Sequence, residues 1–200
     1  MRPLAVILAG GLSSRMGRDK AGLPFGEGTM LTHLIETYRA RFDVAVSVRE
    51  AGRFDTAGAP ELLDLHPGQG PLAGLEAAFR QTEAEVVFLT ATDLPFGDAG
   101  LAEELLRRLG SAEACVLRRR EGKIEPLFGV YRRGCLPVVE RCLEEGRRSC
   151  RGLLDQISVQ WVEEDEIGNW DLKQVLQNVN TPEEYQRAIR KSENRASFSN

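Results

Sequence analysis

Short apolar runs recur along the first half of the chain, each bounded by polar or glycine residues. The runs are LAVILA at residues 4 to 9, DVAVSV at 43 to 48 and EVVFLTA at 85 to 91. Nearly continuous apolar runs of this length are typical of strands that are covered on both faces of a parallel sheet. The pattern therefore predicts three buried strands.

Stretches with helical spacing of apolar residues follow these runs. The first covers residues 29 to 42, where Thr29 is suited to cap the first turn, and two more cover residues 72 to 82 and 101 to 109. Strands that alternate with helices predict an α/β fold, in which helices cover both faces of a mostly parallel sheet.

The alternation loosens after residue 113. Strand patterns occur at residues 113 to 119, 126 to 132 and 158 to 164, and a helix is predicted near residues 135 to 146. Because consecutive strand patterns here are not all separated by helices, the sequence predicts a mixed sheet with one antiparallel strand.

The last helix has a clear start. In NTPEEYQRAIRK, Thr181 can cap the helix, Pro182 suits its first turn, and Glu184 completes a capping box. We expect one domain over residues 1 to 191 and a frayed tail over residues 192 to 200.

Composition narrows the class of protein. The chain has 200 residues, of which 42% are hydrophobic, and a net charge of −4. These values predict one globular domain, and they argue against a broad nucleic-acid-binding face. No apolar run approaches the roughly 18 to 20 residues of a membrane span, so we expect a cytoplasmic protein without membrane contact.

Candidate metal and anion sites outside the first loop are few. The four cysteines form no C-x-x-C pair, and with two histidines they predict idle or buried thiols rather than a zinc cluster. Arg118, Arg119, Arg120 and Lys123 form one basic cluster. It is best interpreted as a solvated turn, although steering of a phosphorylated substrate stays open.

The loop after the first strand, LAGGLSSRMGRDK at residues 8 to 20, has the chemistry of a phosphate site. Ligands bind beyond the carboxyl ends of parallel strands, where this loop begins. Gly10 and Gly11 let backbone N–H groups approach a ligand, and Arg15 and Lys20 supply cations. The spacing fits neither the dinucleotide fingerprint nor the P-loop, so dehydrogenases and P-loop GTPases are disfavoured.

This loop, read through to LAGGLSSRMGRDKAGLPF, resembles the signature of the molybdenum cofactor guanylyltransferases, whose usual form is L-A-G-G-x-S-x-R-M-G-x-D-K. The resemblance implies a three-layer α/β/α Rossmann-like nucleotidyltransferase fold. It also implies that the backbone at the glycines holds GTP, while Arg15 and Lys20 bind its phosphates.

Further stretches extend the resemblance over about residues 4 to 185. DLHPGQGPLAGL at residues 64 to 75 is a strand-to-helix turn on its own, but it is similar to the family's G-P-L-A-G segment. The GTP contacts implied by the resemblance are Leu8, Ala9, Gly10, Gly11, Arg15, Lys20, Asp64, Pro71, Leu72, Gly74 and Asp93.

Asp93 ends the strand in FLTATDLPF, residues 88 to 96, and is followed at once by Leu-Pro. An aspartate there is commonly a turn residue. The resemblance implies that it is the ligand of Mg²⁺, which prefers oxygen ligands and phosphates. Arg15, Lys20 and Asp93 are therefore the expected catalytic residues.

QNVNTPEEY at residues 177 to 185 resembles the family's N-x-N-T-P, which assigns Asn178 and Asn180 to the pterin substrate or to metal-bound water. Two positions depart from the family. Glu125 stands where a glutamine is usual, and Arg49, near Ser47, stands where some relatives have an asparagine.

The activity implied is transfer of GMP from GTP to the terminal phosphate of molybdopterin, with release of pyrophosphate. No histidine is needed as a base, so His33 is expected to be structural, while His66 lies nearer the site. The alternatives are a cytidylyltransferase acting on the same pterin, a sugar-phosphate nucleotidyltransferase and a non-catalytic GTP-binding module. Transient partners in molybdenum cofactor synthesis and delivery follow from the resemblance alone.

Overall fold

The computed structural model describes residues 2–10 and 19–197. Its strands are β1 (Leu4–Leu8), β2 (Pro24–Phe25), β3 (Gly28–Thr29), β4 (Asp43–Val48), β5 (Glu61–Leu63), β6 (Val86–Ala91), β7 (Ala114–Arg118), β8 (Ile124–Arg132) and β9 (Val159–Glu163). Its helices are α1 (Met30–Arg39), α2 (Pro71–Gln81), α3 (Ala99–Arg108), α4 (Leu136–Glu144), α5 (Cys150–Leu154), α6 (Leu172–Val175) and α7 (Pro182–Ser197).

A seven-stranded sheet in the order β5-β4-β1-β6-β8-β7-β9 forms the middle layer. Strand β8 runs antiparallel to both of its neighbours, and the other described pairings in this sheet are parallel. The mixed sheet with one antiparallel strand is thus confirmed. Because β1 lies between β4 and β6, their three carboxyl ends meet at one edge of the sheet.

Alternate residues of the central strands enter two cores. In β1, Ala5 and Ile7 pack on the side of α1 and α3, whereas Leu4 and Val6 pack on the side of α2 and α4. Both cores exclude water, so every position of the strand favours an apolar residue, which is the origin of the continuous LAVILA run. The aromatic centre of the first core is Phe88, whose ring lies 4.9 Å from that of Phe128.

Helix α2 packs unusually close to the sheet at Gly74. A Cβ atom on this residue would lie 2.3 Å from Leu8 Cδ2 and 2.7 Å from Ser47 Oγ. A side chain would push the helix away from the ends of β1 and β4. Gly74 therefore sets the distance between the start of α2 and this edge of the sheet.

Several short elements are absent from the sequence prediction. They are β5, the β2–β3 hairpin, α5 and α6, all of five residues or fewer. In addition, α7 continues to Ser197, so residues 192 to 197 are helical where a frayed tail was expected. Short elements contain too few residues for a periodic pattern, so sequence patterning misses them.

The cysteine prediction is confirmed. All four thiols are buried and free, and burial raises the pKa of Cys115, Cys135 and Cys150 to about 12. Thiols with such pKa values stay protonated and unreactive near neutral pH. Among the described helices, none combines the length and apolar character that crossing a membrane requires.

Candidate active site

A cavity of about 400 Å³ opens at the edge where β1, β4 and β6 end. Its walls contain most of the expected ligand-binding residues that the structure describes: Leu8, Ala9, Gly10, Lys20, Asp64, Pro71, Gly74, Asp93 and Asn180. Gly11 and Arg15 lie outside the described residues. Topology thus brings four sequence-distant motifs to one site, as expected for the carboxyl edge of a parallel sheet.

Lys20 lies in a single 3-10 turn, Lys20–Gly22, that faces the cavity. Its Nζ donates a hydrogen bond to Asn180 Oδ1 at 2.7 Å. An amide oxygen directs the ammonium group without cancelling its charge. The positive charge of Lys20 also acts on the carboxyl group of Asp93. The lysine is thus a directed cation beside a carboxylate.

Asp93 follows β6 and lies in the same half of the cavity. Its backbone carbonyl accepts a hydrogen bond from the N–H of Val179 at 2.8 Å. Burial raises the pKa of its carboxyl group, and the charge of Lys20 opposes that rise. Asp93 Oδ1 is buried and has no hydrogen-bond partner among the described residues. A buried carboxylate oxygen of this kind is suited to a ligand that brings positive charge.

These features fit magnesium. Among the described residues, no cluster of three or more histidine, cysteine and acidic side chains could hold a metal alone. Mg²⁺ seldom needs such a cage, because one carboxylate, water and substrate phosphates complete its shell. Asp93 Oδ1, buried without a hydrogen-bond partner among the described residues, has the chemistry that such a ligand requires.

Ser47, Arg49 and Asp64 form the other half of the cavity, at the ends of β4 and β5. Ser47 Oγ donates to Asp64 Oδ1 at 2.7 Å. Burial raises the pKa of Asp64, while the Ser47 hydrogen bond and the charge of Arg49 oppose that change. This half presents an acceptor beside a donor, which is suited to a polar base or ribose.

Gly10 lies directly against these side chains. A Cβ on Gly10 would lie 3.1 Å from Arg49 Cγ and 3.4 Å from Asp64 Oδ2. Arg49 Nε is buried without a hydrogen-bond partner in the described part of the chain. Arg49, which stands where some relatives have an asparagine, thus places a cation in the cavity wall.

The start of α2 forms the floor. Gly70 precedes the helix with a φ of +75°, a conformation that favours glycine, and a Cβ there would lie 2.9 Å from the backbone oxygen of Arg148. Pro71 occupies the first turn and lines the cavity. Leu72, expected at the site, is instead fully buried in the core beneath α2, because the helix turns its apolar face to the sheet.

The two asparagines differ in position. Asn180 lines the cavity and accepts from Lys20, whereas Asn178 is not among the lining residues. Val179 between them is fully buried and packs with Phe25 and Met30. The structure therefore joins one member of N-x-N to the site.

Both histidines make contacts within the protein. His33 Nε2 lies 3.1 Å from the carbonyl oxygen of Pro95, and its ring packs on Phe25 at 4.8 Å between centroids, as a structural residue would. His66 Nδ1 lies 2.7 Å from Oε2 of the buried Glu76 and is not part of the cavity wall.

The basic cluster is paired with acidic residues at the start of β8 and at and after the end of β9. Arg118 contacts Glu163, Arg120 contacts Asp165 at 2.6 Å, and Lys123 contacts Glu125 at 2.7 Å. The interpretation as a solvated turn therefore fits the structure better than steering of a substrate.

Some lining residues were not predicted by the sequence analysis. Thr92, Leu127 and Gly68 line the cavity without having been predicted there. Leu127 reaches it because β8 is inserted beside β6, a pairing that no local pattern specifies. Gly68 and Gly70 have positive φ values, and their glycines in HPGQGP were the available signal.

A three-layer fold with this strand order, and a cavity lined by a lysine and a buried aspartate, define a Rossmann-like nucleotidyltransferase. Residues 5–161 match the family model described as the MobA-like NTP transferase domain. The chain belongs to this family and is a transferase.

Named relatives agree with this result. A protein of Carboxydothermus hydrogenoformans, named probable molybdenum cofactor guanylyltransferase, is 36% identical over 92% of this chain and 93% of its own length. A protein of the same name from Bacillus subtilis (strain 168) is 31% identical over 92% of this chain and 94% of its own.

Solved structures share the fold. Molybdopterin-guanine dinucleotide biosynthesis protein A from Archaeoglobus fulgidus superposes with a TM-score of 0.83, at 23% identity over 96% of this chain and 99% of its own. The 2-C-methyl-D-erythritol 4-phosphate cytidylyltransferase of Thermus thermophilus gives a TM-score of 0.70, at 16% identity over 96% of this chain and 100% of its own. Such likeness extends the fold to enzymes with other substrates.

Proposed function

We propose that this protein transfers GMP from GTP to the terminal phosphate of molybdopterin, forming the guanine dinucleotide cofactor and releasing pyrophosphate. The observation that carries this proposal is that Lys20 and the buried carboxylate of Asp93 line one cavity, where the charge of Lys20 acts on that carboxylate and its Oδ1 has no hydrogen-bond partner among the described residues. The names of the 36% and 31% identical relatives support the choice of guanylyl transfer.

The chemistry requires little from side chains as acids or bases. An oxygen of the terminal phosphate attacks the α-phosphorus of GTP, and the bond from that phosphorus to the bridging oxygen breaks, so pyrophosphate leaves with the electron pair. Because the nucleophile is already anionic, no general base is needed. Positioning and charge neutralisation then provide most of the rate acceleration.

Each half of the cavity has a role in this scheme. Lys20 donates to the phosphates that leave, and Arg15, outside the described residues, is assigned to the same phosphates by the family motif. Asp93 would hold Mg²⁺, which supplies charge neutralisation at the reacting phosphates. Asp64, Ser47 and Arg49 lie where the nucleoside would extend from the phosphates.

The acceptor substrate is assigned to the side of Asn180. Asn180 lines the cavity and contacts Lys20, so it lies beside the cation that we assign to the phosphates. Asn178 lies outside the cavity wall, and we restrict the assignment to Asn180. We also propose that proteins that supply the pterin or receive the product bind this protein transiently.

The first experiment is calorimetric titration with GTP, CTP, ATP and UTP, with and without Mg²⁺. The variants are Asp93→Ala and, as a matched control, Asp43→Ala, which removes an exposed carboxylate at the amino end of β4. We expect GTP to bind most tightly, and we expect the Mg²⁺ dependence to be lost in Asp93→Ala alone.

The outcomes separate the alternatives. Preference for CTP would keep the fold and chemistry but overturn the product. Tight GTP binding without pyrophosphate release, when reduced molybdopterin is supplied anaerobically, would favour the non-catalytic binding module. Absence of any nucleotide binding would overturn the proposal.

A further inference from the structure

Glu184 is the first acidic side chain of α7 that turns back toward the chain before the helix. Its Oε2 accepts from the backbone N–H of Asn180 at 2.6 Å and from that of Thr181 at 3.1 Å. In return, Thr181 Oγ1 accepts from the N–H of Glu184 at 3.2 Å. A capping box accounts for the bonds that involve Thr181, but the shortest bond goes to Asn180.

Asn180 in turn connects this helix start to the catalytic cation. Its side-chain oxygen accepts from Lys20 Nζ at 2.7 Å, although the two residues lie 160 positions apart in the chain. A lysine ammonium on a flexible stem carries three donors and loses much rotamer freedom when it is fixed. The bond to Asn180 uses one donor and sets the direction in which the group points.

The segment around Asn180 is itself anchored on both sides of the cavity. Val179 N–H donates to the carbonyl of Asp93 at 2.8 Å, which ties the segment to the end of β6. Tyr185 Oη donates to the carbonyl of Pro24 at 2.6 Å, close to the turn that carries Lys20. Small shifts of Asn180 are therefore resisted at Val179 and at Tyr185, and Glu184 holds the backbone N–H groups of Asn180 and Thr181, which lie between these anchors.

We propose that Glu184 is a positioning residue for Lys20, acting through Asn180: it holds the backbone of Asn180 so that its amide oxygen directs the ammonium group at the phosphates. This inference rests on the proposed function for the identity of the ligand. It assigns to the C-terminal helix a part in phosphate binding, although Glu184 does not line the cavity.

The test compares three variants. Glu184→Ala removes the acceptor, Glu184→Gln keeps an oxygen acceptor, and Glu183→Ala is the matched control, because Glu183 is an exposed neighbour in the same turn. The readout is calorimetric affinity for MgGTP and for magnesium pyrophosphate, together with the melting temperature of each variant.

We expect Glu184→Ala to weaken binding of both ligands about tenfold, since the ammonium of Lys20, no longer directed by Asn180, loses a charge-assisted hydrogen bond to the phosphates. We expect Glu184→Gln to restore affinity to within about threefold of wild type, and Glu183→Ala to stay within about twofold. Loss of a helix cap alone would lower the melting temperature of Glu184→Ala without this change in affinity.

A double-mutant cycle with Lys20→Ala tests whether the effect of Glu184 on affinity passes through Lys20. If Glu184 acts through Lys20, Glu184→Ala changes affinity less than about twofold once Lys20 is absent. Losses that multiply in the double variant, or wild-type affinity in Glu184→Ala, overturn the inference while leaving the proposed function intact. The wild type could instead bind pyrophosphate, with the expected result in the double-mutant cycle, but not bind GTP. The proposed function would then fail, and the positioning role of Glu184 would be supported. Failure to bind either ligand overturns both.

Discussion

Two groups of cations in this molecule have similar sequence signals but opposite surroundings. Each of the four cations of the basic cluster at 118 to 123 lies within 4 Å of a carboxylate, on Glu163, Glu164, Asp165 or Glu125. In the cavity, Arg49 keeps a buried Nε without a hydrogen-bond partner among the described residues, and Lys20 donates to the amide oxygen of Asn180. The denser basic sequence therefore belongs to cations that the fold pairs with carboxylates.

The difference follows from sheet topology. Strand β9 pairs in parallel with β7 and brings Glu163 level with Arg118. The acidic residues that follow β9 then face the basic turn that follows β7. A cation paired with a carboxylate in this way adds little attraction for a distant anion. Cation density in a sequence is thus a poorer guide to an anion site than the partner that the fold supplies.

The largest expected effect on activity is at Lys20. We expect Lys20→Ala to lower turnover by about 10² to 10³, because a donor aimed at developing charge is removed. The melting temperature should stay near that of wild type, since Lys20 is outside the apolar cores. Pyrophosphate release measures the rate, and Lys123→Ala is the control from the neutralised group. Near wild-type turnover in Lys20→Ala would remove it from the mechanism.

A smaller effect is expected at Arg49. Arg49→Ala should weaken GTP binding about tenfold, the cost of losing one charge-assisted hydrogen bond. Calorimetry with MgGTP is the measurement. Arg41→Ala is the control, because Arg41 is an exposed arginine that contacts Glu103 away from the cavity. Equal GTP affinities of Arg49→Ala and Arg41→Ala would mean that Arg49 does not contribute to GTP binding.

The sequence predicts the strands and helices whose formation depends on local pattern. Six apolar or amphipathic stretches in the first 110 residues yield β1, β4, β6, α1, α2 and α3 to within three residues, because each buries a face that must repeat with the period of its element. The capping box of Thr181 and Glu184 is likewise local, and it is confirmed.

What the sequence does not predict depends on contacts between distant segments. Leu72 was assigned to the site with Pro71 and Gly74, but the period of α2 turns it into the core. The bond from Lys20 to Asn180 spans 160 positions, and the neutralisation of the basic cluster depends on β9 pairing. Short chemical motifs show which residues are available, and the tertiary fold decides which of them meet.

A third effect concerns the free energy of unfolding that the buried carboxylate of Asp93 costs the ligand-free protein. Asp93 Oδ1 is buried without a partner among the described residues, and burial raises the pKa of this group. Asp93→Asn should therefore raise the free energy of unfolding of the ligand-free protein by about 1 kcal/mol while lowering activity. Urea unfolding without Mg²⁺ is the measurement. Unchanged or lower stability would mean that the charge of Lys20 already compensates the carboxylate.

The smallest effect is expected in the basic cluster. Arg120 and Asp165 have side chains 76% and 70% exposed, so their ion pair is solvated and screened by salt. Arg120→Ala should change the free energy of unfolding by less than about 0.5 kcal/mol, and GTP affinity by less than about twofold. Stopped-flow association with GTP at low and high salt is the decisive measurement, because steering would appear as a salt-dependent association rate. A slower association at low salt in Arg120→Ala, with the same final affinity, would show that the cluster attracts the nucleotide despite its ion pairs. The ion pairs of the cluster would then limit its contribution to binding affinity but not to the rate of association.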